Sequence, residues 1–310
     1  FYTQKGVAGI ADCTQDFRNA CSHTIVVGAL NEFGPASSTL AMIDDACKKA
    51  PGGPGAYTMC YHGLGHGVFS YFGYDLQKTV DFCKRTGTAD YDNEQFTQCV
   101  GGAIMELLSG GGHDHDAWLS ARTRYLRDDQ PLAPCNRAVI PQEAKSFCYL
   151  YLTPRLLEVA GIDIGTPDPA LFPLAISYCD AIPLSSRTLR DACYGGFGKD
   201  FLGFVAYRDI RAIDRIESGA YARVAEWCMF AHSRDGQQSC IRSALDSVFW
   251  GGENDPNAAF RFCGAVPREF TAACYDDLAQ FIQQYLRGDM RSRMCSQLPE
   301  THQKGCAQHS

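Results

Sequence analysis

The chain has 310 residues, 45% hydrophobic and 20% charged, a composition that argues against extensive disorder. Its net charge of −7 carries no overall basic footprint for nucleic acid or an anionic membrane surface. Apolar runs such as Thr24 to Leu30 fall far short of the roughly 18 residues a membrane span needs, so no transmembrane segment is expected. The chain begins at Phe1 without a charged-then-apolar leader, so any signal peptide is expected to have been removed.

Sixteen cysteines spread over the whole length decide more than any of these. Disulfides do not persist in the cytosol, and neither the close cysteine knuckles of zinc sites nor a Cys-x-x-Cys redox pair is present. The expected compartment is therefore oxidising, secreted or periplasmic. In chain order the cysteines pair as Cys13/Cys21, Cys47/Cys60, Cys83/Cys99, Cys135/Cys148, Cys179/Cys193, Cys228/Cys240, Cys263/Cys274 and Cys295/Cys306. The first member tends to close an amphipathic run, as in Ala41 to Cys47, Val80 to Cys83, Ile176 to Cys179 and Ala225 to Cys228. A polar connection follows, often with proline. The second member opens another run, with tyrosine next in Cys60-Tyr61, Cys148-Tyr149, Cys193-Tyr194 and Cys274-Tyr275. Three- and four-residue apolar steps, as in Cys274, Leu278, Phe281, Ile282 and Tyr285, make these runs helices.

Each repeat thus reads as a helical hairpin whose disulfide ties the end of the first helix to the start of the second. Stacked hairpins predict an all-α, right-handed α-solenoid forming one continuous domain over residues 1–310. The clasped hairpin resembles tetratricopeptide-type repeats and their cysteine-rich relatives in general plan. The tetratricopeptide consensus is absent and the period varies, so the resemblance is architectural and implies no activity.

Aligning the second helices on their cysteines turns scattered residues into columns. His23 and His62 both stand two residues after the cysteine, and His66 follows His62 by one helical turn. Adjacent second helices would bring these three imidazoles toward one point, at a spacing suited to copper, iron or zinc. The segment Tyr61-His62-Gly63-Leu64-Gly65-His66-Gly67 is costly for a helix, about 1 kcal/mol per glycine relative to alanine. Either a bound ligand or close backbone packing must compensate. In the second case each histidine would bond a backbone carbonyl. A glutamate between the histidines, as in metalloprotease His-Glu-x-x-His, is absent.

Further along, Glu106 falls beside the column of His66 and would complete a ligand set or act as a base. His113 and His115 follow a glycine run and would add ligands from a loop, while Asp114 or Asp116 would cap the next helix. Lys199, Asp200 and Asp246 share the later columns and read either as a mixed-charge floor or as a solvated helix face. Neither a serine-nucleophile elbow nor a phosphate-binding glycine loop is present.

The sequence therefore points to a cysteine-rich helical-repeat protein that binds a transition metal through His23, His62 and His66, with His113, His115 and Glu106 as outer candidates. If it is an enzyme, metal-dependent oxidation is favoured over hydrolysis. The competing expectation is a non-catalytic scaffold holding a peptide, glycan or protein on its concave face.

Overall fold

The computed structural model describes residues 2–13, 18–50, 54–86, 94–110, 114–251, 255 and 257–307. It is 77% helical with no strands among the described residues, where the only strand-like pairing is an isolated bridge between Arg127 and Gln130. No helix among them is long and apolar enough to cross a membrane. The chain divides into two compact units, Phe1–Arg155 and Leu156–Ser310.

In the first unit α1 (Tyr2–Lys5) and a 3₁₀ turn (Val7–Asp12) precede α2 (Arg18–Phe33), α3 (Ser37–Cys47), α4 (Pro54–Tyr71) and α5 (Leu76–Cys83). Then come α6 (Glu94–Ser109), α7 (His115–Tyr125), α8 (Lys145–Tyr151) and α9 (Thr153–Val159), which carries the chain into the second unit. Local chemistry sets these ends. Gly34, at φ +69°, stops α2 in the left-handed conformation glycine tolerates. Asp75 caps α5 by accepting from the Lys78 amide, and Asp114 caps α7 by accepting from the Ala117 amide, each at 3.0 Å.

The second unit holds α10 (Phe172–Ser177), α11 (Arg187–Val205), α12 (Ser218–Cys228), α13 (Arg234–Gly251), α14 (Ala258–Ala265), α15 (Arg268–Tyr285), α16 (Gly288–Gln297) and α17 (Glu300–Ala307). Trp227 of α12 meets Phe172 of α10 and Phe201 of α11 edge-on, and those two rings are tilted against each other at 38°.

All eight disulfides join the consecutive cysteines that the sequence pairs, with Cα–Cα distances of 5.5 to 5.8 Å. No free cysteine is left among the described residues. Loops of this size give about 3 kcal/mol each in the chain-entropy account. The bridges also fix axial register. Cys47 ends α3 and ties it to Cys60 within α4, and Cys83 ends α5 and ties it to Cys99 within α6. Three pairs depart from the helix-to-helix pattern. Cys13 follows the 3₁₀ turn Val7–Asp12 in extended conformation, Cys135 lies in a turn-rich stretch well past the end of α7, and Cys179 lies in a 3₁₀ turn (Tyr178–Ala181).

The helices that carry the second cysteines pack on one another: α2 on α4, α4 on α6 and α6 on α8 in the first unit, and α11 on α13, α13 on α15 and α15 on α17 in the second. Glycine makes the closest of these junctions possible. A Cβ built on Gly65 would lie 1.9 Å from the Cys99 carbonyl oxygen, and one on Gly102 would lie 1.9 Å from the His62 carbonyl oxygen. The second unit repeats the arrangement at the same positions, with Gly198 held 1.9 Å from the Cys240 carbonyl oxygen by the same measure. Backbone therefore touches backbone, and even a methyl group has no room.

Gly65→Ala and Gly198→Ala should each destabilise their unit by about 2–3 kcal/mol or more, because main-chain atoms must move apart. Gly203→Ala, also on α11 but with no atom within 4 Å of the added carbon, should instead be neutral or stabilise by up to about 1 kcal/mol. Thermal and urea unfolding of the three variants checks both signs.

Candidate functional site

The close junctions of α4 gather the histidines. Gly63 and Gly67, one turn apart, face α2, where a Cβ would lie 2.2 Å from Cδ2 of His23 and 2.8 Å from Cγ2 of Val27 respectively. Gly65, between them, faces α6. His23 of α2 thus seats its ring on α4 beside His62 and His66. Ring centroids are 5.7 Å apart for His23 and His62, 5.5 Å for His23 and His66, and 5.0 Å for His62 and His66.

The hydrogen bonds fix most of the protons. A carbonyl only accepts, so His23 donates its Nε2–H to Met59 O at 3.2 Å and keeps its lone pair on Nδ1. His66 directs Nδ1 at Glu106 Oε2, 3.0 Å away, which places a proton there and leaves Nε2 as an acceptor when the ring is neutral. That Nε2 faces Nε2 of His62 at 3.3 Å. Two nitrogens at this distance share a proton or flank a cation.

The surroundings favour a neutral ring at His23. Burial, and next the neighbouring His66, push the His23 imidazole down to about 3, against the pull of the Met59 carbonyl toward the charged form. His62 is 2% exposed, and the Glu106 side chain only 9%. Neutral imidazole is the form that ligates copper, iron and zinc. A carboxylate on the remote nitrogen is the arrangement that orients such a ligand and raises its basicity. Glu106 therefore stands behind His66 rather than beside the three rings as a fourth ligand.

Of the other sequence candidates, those among the described residues lie elsewhere. His115 is exposed at the start of α7 with its ring on Trp118, 5.5 Å between centroids, and is not part of the imidazole group. Trp118 donates to the Glu106 and Leu107 carbonyls, which anchors α7 on the end of α6. His113 lies outside the described residues. Lys199 and Asp200 form a partly buried ion pair with each other at 2.9 Å. Among the described residues no group of three or more His, Cys, Asp or Glu side chains stands ready-made to hold a metal ion. Tyr151, which no motif marked, lies against His62 with ring centroids 4.8 Å apart.

Stability should fall as the pH drops from about 6.5 toward 3, because the unfolded chain takes up a proton on residue 23 that the folded site refuses. This one group gives a slope approaching about 1.4 kcal/mol per pH unit in that window and none above it. His23→Gln, which retains a donor for Met59 O, should show a slope shallower by that amount in urea unfolding. An unchanged slope would mean that His23 is not held neutral.

Comparison with protein families, characterised proteins and solved structures gives no match, so function must be read from the cluster's own chemistry.

Proposed function

We propose that this protein binds a transition-metal ion in an oxidising compartment, secreted or periplasmic, with His62 and His66 as the primary ligands and His23 beside them. The observation that carries this is the 3.3 Å between the two Nε2 atoms. Two zinc–nitrogen bonds of about 2.0–2.1 Å at a tetrahedral angle span about 3.3 Å. Glu106 on Nδ1 of His66 and Met59 O on Nε2 of His23 add to it, since both leave the opposite nitrogen's lone pair available.

The donor set selects the ion class. Nitrogen ligands without clustered carboxylates disfavour calcium and magnesium, and the thiols are taken up in disulfides. Copper, iron and zinc remain. A coordination position left open on copper or iron would allow oxidative chemistry at this site. The scaffold completes the proposal: a right-handed solenoid of disulfide-clasped hairpins, continuous over residues 1–310, that holds the imidazoles in register.

A second reading is favoured by one observation. Close helix packing accounts for Gly63, Gly65 and Gly67 without a ligand, and His23 does bond a backbone carbonyl. In that case the imidazoles are interior structure and the protein is a scaffold for a peptide, glycan or protein partner.

Elemental analysis of protein purified without a histidine tag separates the two. The metal reading expects about one copper, iron or zinc per chain, absent from a folded His62→Ala/His66→Ala variant, and an affinity about 10- to 100-fold weaker in Glu106→Gln. No metal in the native protein, even after incubation with each ion, would leave the scaffold.

A further inference from the structure

The ring cluster has a fourth member. Tyr151, the last residue of α8, places its ring centroid 4.8 Å from that of His62 at an interplanar angle of 39°. The same ring rests on Gly101 of α6, where a Cβ would lie 2.8 Å from Tyr151 Cε2 and 3.0 Å from Cδ2. Gly101 stands two residues after Cys99, the position that His23 and His62 hold after Cys21 and Cys60. Where the register would place a third imidazole there is no side chain, and a phenol from the next helix takes the space beside His62.

Exposure on the two sides of the histidine pair is unequal. His62 is 2% exposed, whereas the His66 side chain is 17% exposed. We infer that Tyr151 is a positioning residue: its ring walls the His62 side of the site and holds that imidazole with Nε2 toward His66. The cation then enters along the His66 edge. The cation part rests on the metal-binding proposal, while the wall belongs to the metal-free protein.

Deuterium incorporation at the imidazole C2 carbon, read by mass spectrometry on metal-free protein, reports each histidine separately. Tyr151→Ala should accelerate exchange at His62 by about tenfold or more and leave His66 within about twofold, because one face opens locally without unfolding the unit. Tyr151→Phe should exchange like the native chain, since the ring and not the hydroxyl forms the wall. Gly101→Ala should act like Tyr151→Ala by lifting the ring from its seat, and it carries the test if Tyr151→Ala does not fold.

In a Zn²⁺ titration the dissociation constant should rise about 10- to 100-fold in Tyr151→Ala and return to native in Tyr151→Phe. Unchanged His62 exchange in the folded variants would overturn the proposal, and so would equal acceleration at His62 and His66, which marks general loosening. If native protein takes up no Zn²⁺ while His62 exchange responds as stated, the wall stands and the cation part falls.

Discussion

Gly65 lies so close to the Cys99 carbonyl that α4 and α6 meet through their main chains, and the position of the imidazoles follows from that contact. Side chains normally hold helix axes 8–10 Å apart. Here Gly63 and Gly67 admit α2 on one face and Gly65 admits α6 on the other, so α4 is gripped from both sides. A grip of this kind does not by itself define how far one helix slides along the next. The disulfides supply that constraint, since Cys60 and Cys99 are each tied to the end of the preceding helix. Together the two effects bring residues two and six beyond Cys60 beside the residue two beyond Cys21.

The same junction occurs again without the chemistry. Gly198 of α11 meets the Cys240 carbonyl and the Ala244 amide as Gly65 meets the Cys99 carbonyl and the Ala103 amide. In the place of His62 stands Gly195, and in that of His66 stands Lys199, paired with Asp200. The glycines therefore serve packing at both junctions, and the helix penalty they carry needs no ligand to offset it. What distinguishes the first unit is the choice of side chains on a shared backbone geometry. The case for a metal thus rests on nitrogen positions and hydrogen-bond partners rather than on the glycine count.

The parts of this architecture that were legible in the sequence are those set by local periodicity and covalent chemistry. Alternating cysteine spacing gave the eight pairs, and three- and four-residue apolar steps gave the helices that follow Cys60, Cys99, Cys193, Cys240 and Cys274. Alignment on the second cysteine placed His23 next to His62 because covalently fixed register converts a sequence column into a spatial one. The reading was weaker where proline and turns interrupt that register. Pro154 follows the break between α8 and α9, and no helix leads directly into Cys135. Tyr151 was missed for a related reason: it stands three residues after Cys148, outside the histidine column, and its seat in that column is Gly101, a residue whose significance is the side chain it lacks.

The protonation pattern extends this logic from position to chemistry. Met59 O fixes the tautomer of neutral His23, and Glu106 fixes that of neutral His66 through the nitrogen remote from His62. His62 carries its proton on Nε2 when it donates to His66, and a cation bound by both rings would require it on Nδ1. The first state joins Glu106, His66 and His62 in one hydrogen-bonded chain, in which each bond polarises the next. The second would replace the proton between the rings by a divalent charge beside a buried carboxylate, where the weak dielectric screening of the interior would strengthen the attraction. Because helix packing and disulfides already hold the rings, a cation would not have to order them on arrival, and its affinity would be spared that entropic cost.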